Sequence, residues 1–128
     1  MANAYISGIG GYVPPRVVTN HDLAKDYGID TTHEWIHQRT GIEERRYAAE
    51  GVGSAELGFE AAKIALADAK LTARDIDMII FATLSPEHHF PGSGVFLQRR
   101  FTELFEGEAA KKDGPKFVPA LDIRNQCS

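Results

Sequence analysis

Cys127 is the only cysteine in the chain and stands one residue before its last position, Ser128. A thiol is the strongest nucleophile among the side chains here, but only as thiolate. At its ordinary pKa of about 8.5 only a few per cent is ionised at neutral pH. A thiol at the end of a strand, with a helix starting just beyond it, gains from the positive helix N-terminus; apolar burial does the opposite. By itself a lone cysteine reads as a small buried hydrophobe. A second candidate is His33-Glu34-Trp35-Ile36-His37, which matches H-E-x-x-H. On a helix, residues four apart share a face, so two imidazoles could bind zinc with the glutamate as general base. That reading needs a third ligand. Glu56 or Glu60 could be proposed, and no downstream histidine has the spacing of the three-histidine version. The expectation is therefore no metal, and a short surface helix with solvated histidines and a buried Trp35. Glu87-His88-His89 lacks metal spacing too and reads as a loop able to line a pocket. Gly8-Ile9-Gly10-Gly11 lacks the third glycine of a dinucleotide fingerprint, and Pro14-Pro15 replaces the helix start, so no dinucleotide site is expected there.

These residues need elements to hold them. Residues 5–11 alternate apolar and small side chains before the proline pair and read as a strand. Asn20 can cap a short helix through Leu23 and Ala24, with Gly28 beyond it. Thr31 or Thr32 can cap a second helix from His33 to about Arg39, which Gly41 ends. Ser54 opens the clearest helix, with Leu57, Ala61, Ile64, Ala65 and Leu66 at helical spacing. Residues 71–75 connect it to residues 76–83, an apolar run that suits a strand buried on both faces of a parallel sheet. Ser93 can cap another helix with Leu97, Phe101, Leu104 and Phe105 as its stripe. Residues 107–115 read as a charged loop, and residues 117–123 as a further strand, with Pro119 at an edge or bulge. Helix followed by buried strand is the right-handed crossover pattern, so the class is α/β.

Bulk properties narrow the function. The chain has 128 residues, 43% hydrophobic and 25% charged, as a single globular domain would. No run approaches the roughly 18 apolar residues of a membrane span, and the first residues lack a signal peptide's pattern. A cytoplasmic protein is expected. The formal charge of −4 argues against nucleic acid as partner. Arg39, Arg45, Arg46, Arg99 and Arg100 could form a local basic patch, but read as solvated surface arginines.

Several short motifs occur in one order: Ile6-Ser7-Gly8-Ile9-Gly10-Gly11-Tyr12-Val13-Pro14, Glu34-Trp35-Ile36 with Arg39-Thr40-Gly41-Ile42 and Glu44-Arg45, Gly58-Phe59-Glu60-Ala61-Ala62, Asp77-Met78-Ile79-Ile80-Phe81-Ala82-Thr83, Phe90-Pro91, and Asp122-Ile123 ahead of Cys127-Ser128. Together they resemble the first part of the 3-oxoacyl-[acyl carrier protein] synthase III family of thiolase-like condensing enzymes. The resemblance covers nearly the whole chain; the W-I-x-x-R-T-G-I block is its most specific part. The stretch from about Thr102 to Lys116 looks longer than in typical members, and Asn125 and Gln126 stand where many have small residues.

The resemblance implies a layered αβαβα fold, with residues 1–128 as most of the first of two similar halves, cut just after the nucleophile. It implies an acyl-cysteine intermediate on Cys127, acyl-CoA and malonyl-[acyl carrier protein] as substrates, and a homodimer. No cofactor is implied, coenzyme A being part of the substrate. By position Trp35 matches the aromatic that stacks on the adenine of CoA, Arg39 its partner on the other side of that ring, and Thr31 a nearby hydrogen-bonding position. Phe90 matches an aromatic that reaches across the dimer toward the partner's acyl pocket. The family's histidine and asparagine lie outside these residues. The remaining C-terminal part of the enzyme, in the same or a separate chain, is therefore an expected partner, and this segment alone is expected to be inactive. Other readings are a synthase III-like acyltransferase, a specialised starter-unit condensing enzyme, a zinc hydrolase using His33, Glu34 and His37, and a non-catalytic α/β interaction domain.

Overall fold

A computed structural model of the chain describes residues 3–105 and 116–124. The chain divides into two compact units, Val13–Val52 and the combination of Met1–Tyr12 with Gly53–Ser128.

In the first unit, strand β1 (Arg16–Thr19) leads into helix α1 (Asn20–Lys25), followed by helix α2 (His33–Thr40) and strand β2 (Glu44–Tyr47). The strands pair antiparallel, Arg16 opposite Tyr47 and Thr19 opposite Glu44. This ribbon was not anticipated; its branched residues Val17, Val18 and Thr19 are the only sequence signal for it. Val18, Leu23 and Ile36 form the core, with Tyr47 against them. Thr19, rather than Asn20, caps α1. Its hydroxyl accepts from Asp22 N–H, and the Asp22 carboxylate accepts from Thr19 N–H at 2.7 Å, a reciprocal capping box. Asn20 is drawn away into the interior, fully buried. Its Nδ2 donates to Ile42 O and its Oδ1 accepts from Arg45 Nη2, both at 2.7 Å, so both ends of the amide are satisfied. Thr32 caps α2 by accepting from Trp35 N–H, and Gly41 ends it in the left-handed conformation, φ 69°, as the sequence indicates.

The second unit holds helix α3 (Ser54–Ala69), a 3₁₀ turn (Ala73–Asp75), strand β3 (Ile79–Ala82), helix α4 (Ser93–Phe105) and strand β4 (Ala120–Ile123). β3 and β4 pair in parallel, Ile79 with Ala120 and Ala82 with Ile123, which fits the expected α/β crossover. Ile79 N–H donates to Pro119 O just before the ladder. Pro119 thus stands at the strand's entrance, where its missing N–H costs nothing. The core is Phe59, Leu66, Ala73, Ile79, Leu97, Phe101 and Val118. Phe59 meets Phe101 edge to face at 5.4 Å, an arrangement the ring quadrupoles favour. Leu97 and Phe101 of the expected α4 stripe are buried; the side chains of Leu104 and Phe105 and the loop at 107–115 lie outside the described residues.

Two expectations are corrected. Residues 5–11 form no strand: a strand needs a ladder partner, and no described residue supplies one. Instead the segment lies on α3. A Cβ at Gly8 would come within 2.5 Å of Ala65 O, and one at Gly10 within 2.3 Å of Ala61 O, while Ile9 N–H donates to the Asp68 carboxylate at 2.9 Å. The glycines allow backbone to approach backbone and build no phosphate cradle. Second, β3 is not buried on both faces of this chain. Ile79 is buried in the core, but Ile80 is 58% exposed.

Candidate functional site

α2 carries Trp35 and Arg39, four residues apart and so on one helix face. Trp35 is not buried as expected; it is 53% exposed. With Ile29, Asp30, Thr31 and Thr32 it lines an open cleft of about 380 Å³. The turn before α2 is held by Ile29 N–H donating to Leu23 O at 3.0 Å. The Arg39 guanidinium lies over the indole, 4.3 Å from the ring centroid, and reaches Trp35 O at 3.5 Å. Such a cation–π contact contributes about 0.5–1 kcal/mol when exposed. At 4.3 Å no third ring fits between them, since a sandwich needs two spacings of roughly 3.5 Å each. The Thr31 hydroxyl at this cleft is buried and has no hydrogen-bond partner among the described residues.

His33 and His37 do share a face of α2, but their rings stack 17° from parallel with centroids 5.5 Å apart, and His21 stacks on His33 at 5.2 Å. Parallel rings point their nitrogens past one another. His33 Nδ1 lies 3.3 Å from Asn20 Nδ2, and His37 Nε2 lies 3.4 Å from Glu43. The suggested third ligands belong to the other unit, where Glu56 pairs with Arg100 and Glu60 with Lys63. Among the described residues no three His, Cys, Asp or Glu side chains could hold a metal.

Phe90 lies on the segment joining β3 to α4 and is 91% exposed. That segment is anchored by Glu87, read from the sequence as part of a loop able to line a pocket, and by Asp122 and Arg124, which the sequence reading did not single out for chemistry. The Glu87 carboxylate accepts from the hydroxyls of Ser54 and Ser93 and from Ala55 N–H at 3.0 Å. Gly53 is the cap residue of α3, but supplies no side chain, so Glu87 serves that helix from a distance. Partial burial pushes the Glu87 carboxyl up, but the hydrogen bonds from Ser54, its own backbone, Ser93 and Ala55 outweigh it and hold the group down at about 2. Asp122, on β4, accepts from Ser93 N–H at 2.9 Å and Gly94 N–H at 2.7 Å, satisfying the first turn of α4. Arg124 donates to His89 O at 2.9 Å and stands 3.8 Å from Asp122. A lone acid in the apolar run at 117–123, together with Gly92-Ser93-Gly94, was the available signal.

Cys127 lies outside the described residues. β4 and Arg124 are described up to three residues before it. The arginines suspected of forming a basic patch are mostly engaged: Arg45 on Val18 O and Asn20, Arg46 on Pro15 O and Glu44, Arg99 on Glu103, Arg100 on Glu56. Among the described residues no helix is long and apolar enough to cross a membrane.

No family model matches the sequence. Individual proteins do. The chain is 50% identical over 125 residues to the beta-ketoacyl-[acyl-carrier-protein] synthase III of Geobacillus kaustophilus, covering 98% of this chain and 36% of that protein. It is 48% identical over 98 residues to the one of Bacillus pumilus, covering 77% and 31%. Among solved structures, the 3-oxoacyl-[acyl-carrier-protein] synthase III of Aquifex aeolicus superposes with a TM-score of 0.74 at 37% identity, over 94% of this chain and 34% of that one. The Thermus thermophilus enzyme gives 0.74 at 34%, over 95% and 33%. A priming beta-ketosynthase of the R1128 polyketide pathway gives 0.70 at 28%, over 92% and 32%. The chain thus spans about a third of the length of these relatives, and over that third the expected thiolase-like α/β fold holds.

Proposed function

From a chain homologous to the 3-oxoacyl-[acyl carrier protein] synthase III family in sequence and in fold, we propose that its protein condenses an acyl group from acyl-CoA with malonyl-[acyl carrier protein] through an acyl thioester on Cys127. The Cys127 thiolate attacks the thioester carbonyl of acyl-CoA, and CoA leaves as its thiolate. Malonyl-[acyl carrier protein] then loses CO₂. The resulting enolate carbon attacks the acyl-cysteine, forms the new carbon–carbon bond and expels the Cys127 thiolate. The product is a 3-oxoacyl-[acyl carrier protein]. CoA is a substrate group, so the reading needs no separate cofactor. Further sequence, a homodimer and a cytoplasmic setting complete the proposal.

The observation that carries it is the cleft beside Trp35: an exposed indole, an arginine and an orphaned buried hydroxyl, in the block where identity to these synthases suggests a CoA site. A flat apolar ring suits a purine face, and a guanidinium suits phosphate. Because Arg39 already covers one indole face, the purine takes the other face or displaces Arg39 from its 4.3 Å contact. Thr31 would give its hydroxyl to the adenine. Phe90, fully presented to solvent, would reach a second subunit's acyl pocket.

The test is mass spectrometry of the full-length protein after incubation with acetyl-CoA. An acetyl adduct on Cys127 is expected, and none in Cys127→Ala. CO₂ release on adding malonyl-[acyl carrier protein] then separates condensation from simple acyl transfer. Absence of any adduct on Cys127 would sink the proposal. A specialised starter-unit condensing enzyme is the second reading, supported by the similarity to the priming ketosynthase; the acyl-CoA that labels Cys127 fastest distinguishes the two.

A further inference from the structure

Three histidines form a stack that the proposed chemistry does not use. His33 lies between His21 of α1 and His37 of α2, with ring centroids 5.2 and 5.5 Å apart and planes within 17° of parallel. His33 opens α2, directly after its cap Thr32. His33 and His37 are each two residues from Trp35, about 200° round the helix, so the stack and the Trp35 cleft occupy different faces.

Against the stack stands Asn20, wholly buried, and its amide has one possible orientation. Oδ1 accepts from Arg45 Nη2, which can only donate, and Nδ2 donates to Ile42 O, which can only accept. The second Nδ2 hydrogen is left for His33 Nδ1, at 3.3 Å. That nitrogen must therefore accept, so the proton of the neutral ring sits on Nε2. Asn20 N–H also donates to Glu43 O at 3.1 Å. One buried residue thus grips both ends of α2: His33 at its first position, and Ile42 just past its cap, Gly41. A proton on His33 Nδ1 undoes half of that grip. Two donors would face each other across 3.3 Å, and the amide cannot turn without breaking its bonds to Arg45 and Ile42. The new cation would also stand at the N-terminus of α2, where positive charge is disfavoured. Charges of both signs surround the stack. Asp22 feels Lys25 and His21, Glu34 feels His33 and His21, and Glu43 lies 3.4 Å from His37 Nε2. The carboxylates draw protons to the stack as pH falls through the imidazole range, and uptake is shared among the three rings.

We infer that His33 is a positioning residue that makes ligand binding at the Trp35 cleft proton-sensitive: with Nδ1 unprotonated it holds the start of α2 on Asn20, and a proton there frees the turn of Thr31, Thr32 and Trp35 that lines the cleft and weakens its hold on CoA. The inference rests on the acyl-CoA reading, which puts CoA in that cleft.

The experiment is calorimetric titration of full-length protein with coenzyme A in steps from about pH 8 to about pH 5, the range in which imidazoles change charge. Unaltered protein is compared with His33→Asn, His33→Phe and His37→Gln, and the thermal midpoint is read at each pH. Asparagine puts an acceptor near the place of Nδ1 but does not titrate. Phenylalanine keeps a stacked ring and has no acceptor. A phosphate monoester takes up a proton near about pH 6; that part is common to all four proteins, so Kd is read as a ratio to His33→Asn. Unaltered protein is expected to match His33→Asn at the alkaline end and to bind roughly three- to tenfold more weakly at the acid end, the worth of one hydrogen bond. His37→Gln should keep that acid loss, and His33→Phe should bind weakly throughout. A ratio that stays flat overturns the inference and leaves the acyl-CoA reading intact. So does an acid loss that disappears in His37→Gln, or binding that tightens in acid, which would make the stack an anion site. If His33→Asn does not fold, His33→Phe decides: an acid loss as large as that of unaltered protein overturns the inference. No binding of CoA by unaltered protein at any pH overturns both readings.

Discussion

Trp35 keeps 53% of its surface exposed, although burying a large apolar side chain contributes about 1.5–3 kcal/mol. The fold forgoes that contribution because α2 turns Ile36 into the core and leaves Trp35 and Arg39 exposed. Thr31 makes the complementary sacrifice, a buried hydroxyl without a partner among the described residues. Such a group costs about 1–3 kcal/mol, which a bound ligand could return. Two expectations follow at this scale. Thr31→Val removes a group that makes no hydrogen bond among the described residues, so the melting temperature should stay level or rise. The acyl-CoA KM should meanwhile rise roughly tenfold, the worth of about one to two hydrogen bonds. Trp35→Ala should raise the KM without abolishing acylation of Cys127 at saturating acyl-CoA. Steady-state kinetics and calorimetry check both; an unchanged acyl-CoA KM in both variants would remove CoA from this cleft.

At the scale of elements, the helices solve their unpaired N–H groups in two ways. α1 and α2 are capped locally by Thr19 and Thr32. α3 and α4 receive carboxylates from distant sequence, Glu87 and Asp122. The Asp22 carboxyl is lowered by the Thr19 backbone N–H first and by the Thr19 hydroxyl next, the local form of the same device. Glu87 is lowered from 4.5 to about 2. A depressed carboxyl contributes stability that is complete above its unfolded value and is lost as pH falls through the folded one. Stability of the α3–α4 unit should therefore decline between about pH 4.5 and 2. Glu87→Gln should flatten that decline and cost about 1 kcal/mol at neutral pH, as lost caps do. Denaturant titrations across the range measure both. Ser54 and Ser93 were legible as helix starts from the sequence, but their shared partner was not, because it lies 33 and 6 residues away.

For the whole molecule, two separate cores carry the fold. Phe59, 1% exposed, centres the larger one, packed by Phe101 with Lys63 and Arg100 over its ring. Phe59→Ala should cost about 3–5 kcal/mol, read as a drop in denaturant midpoint with the Trp35 fluorescence and far-UV signals followed in parallel. The same unit exposes Tyr5, Ile6, Met78, Ile80 and Phe117, the last 81%. Large apolar side chains left in water favour association with a further surface. The 128 residues alone should bind an apolar dye more strongly than a longer form that carries about three times the length, as the relatives do.

The sequence by itself determined the α/β class, the helix positions and the family likeness, because helical spacing, Gly41 and the W-I-x-x-R-T-G-I block are local patterns in chain order. It misplaced what depends on partners. Residues 5–11 have strand composition but no described ladder partner, and Ile80 has core composition but a solvent face. Asp122 and Arg124 look like ordinary charges until the crossover from β3 through α4 to β4 brings residues about 30 positions apart within hydrogen-bond distance. How Asp122 and Arg124 are held was decided by tertiary structure, since a hydrogen bond reads distance in space and not along the chain.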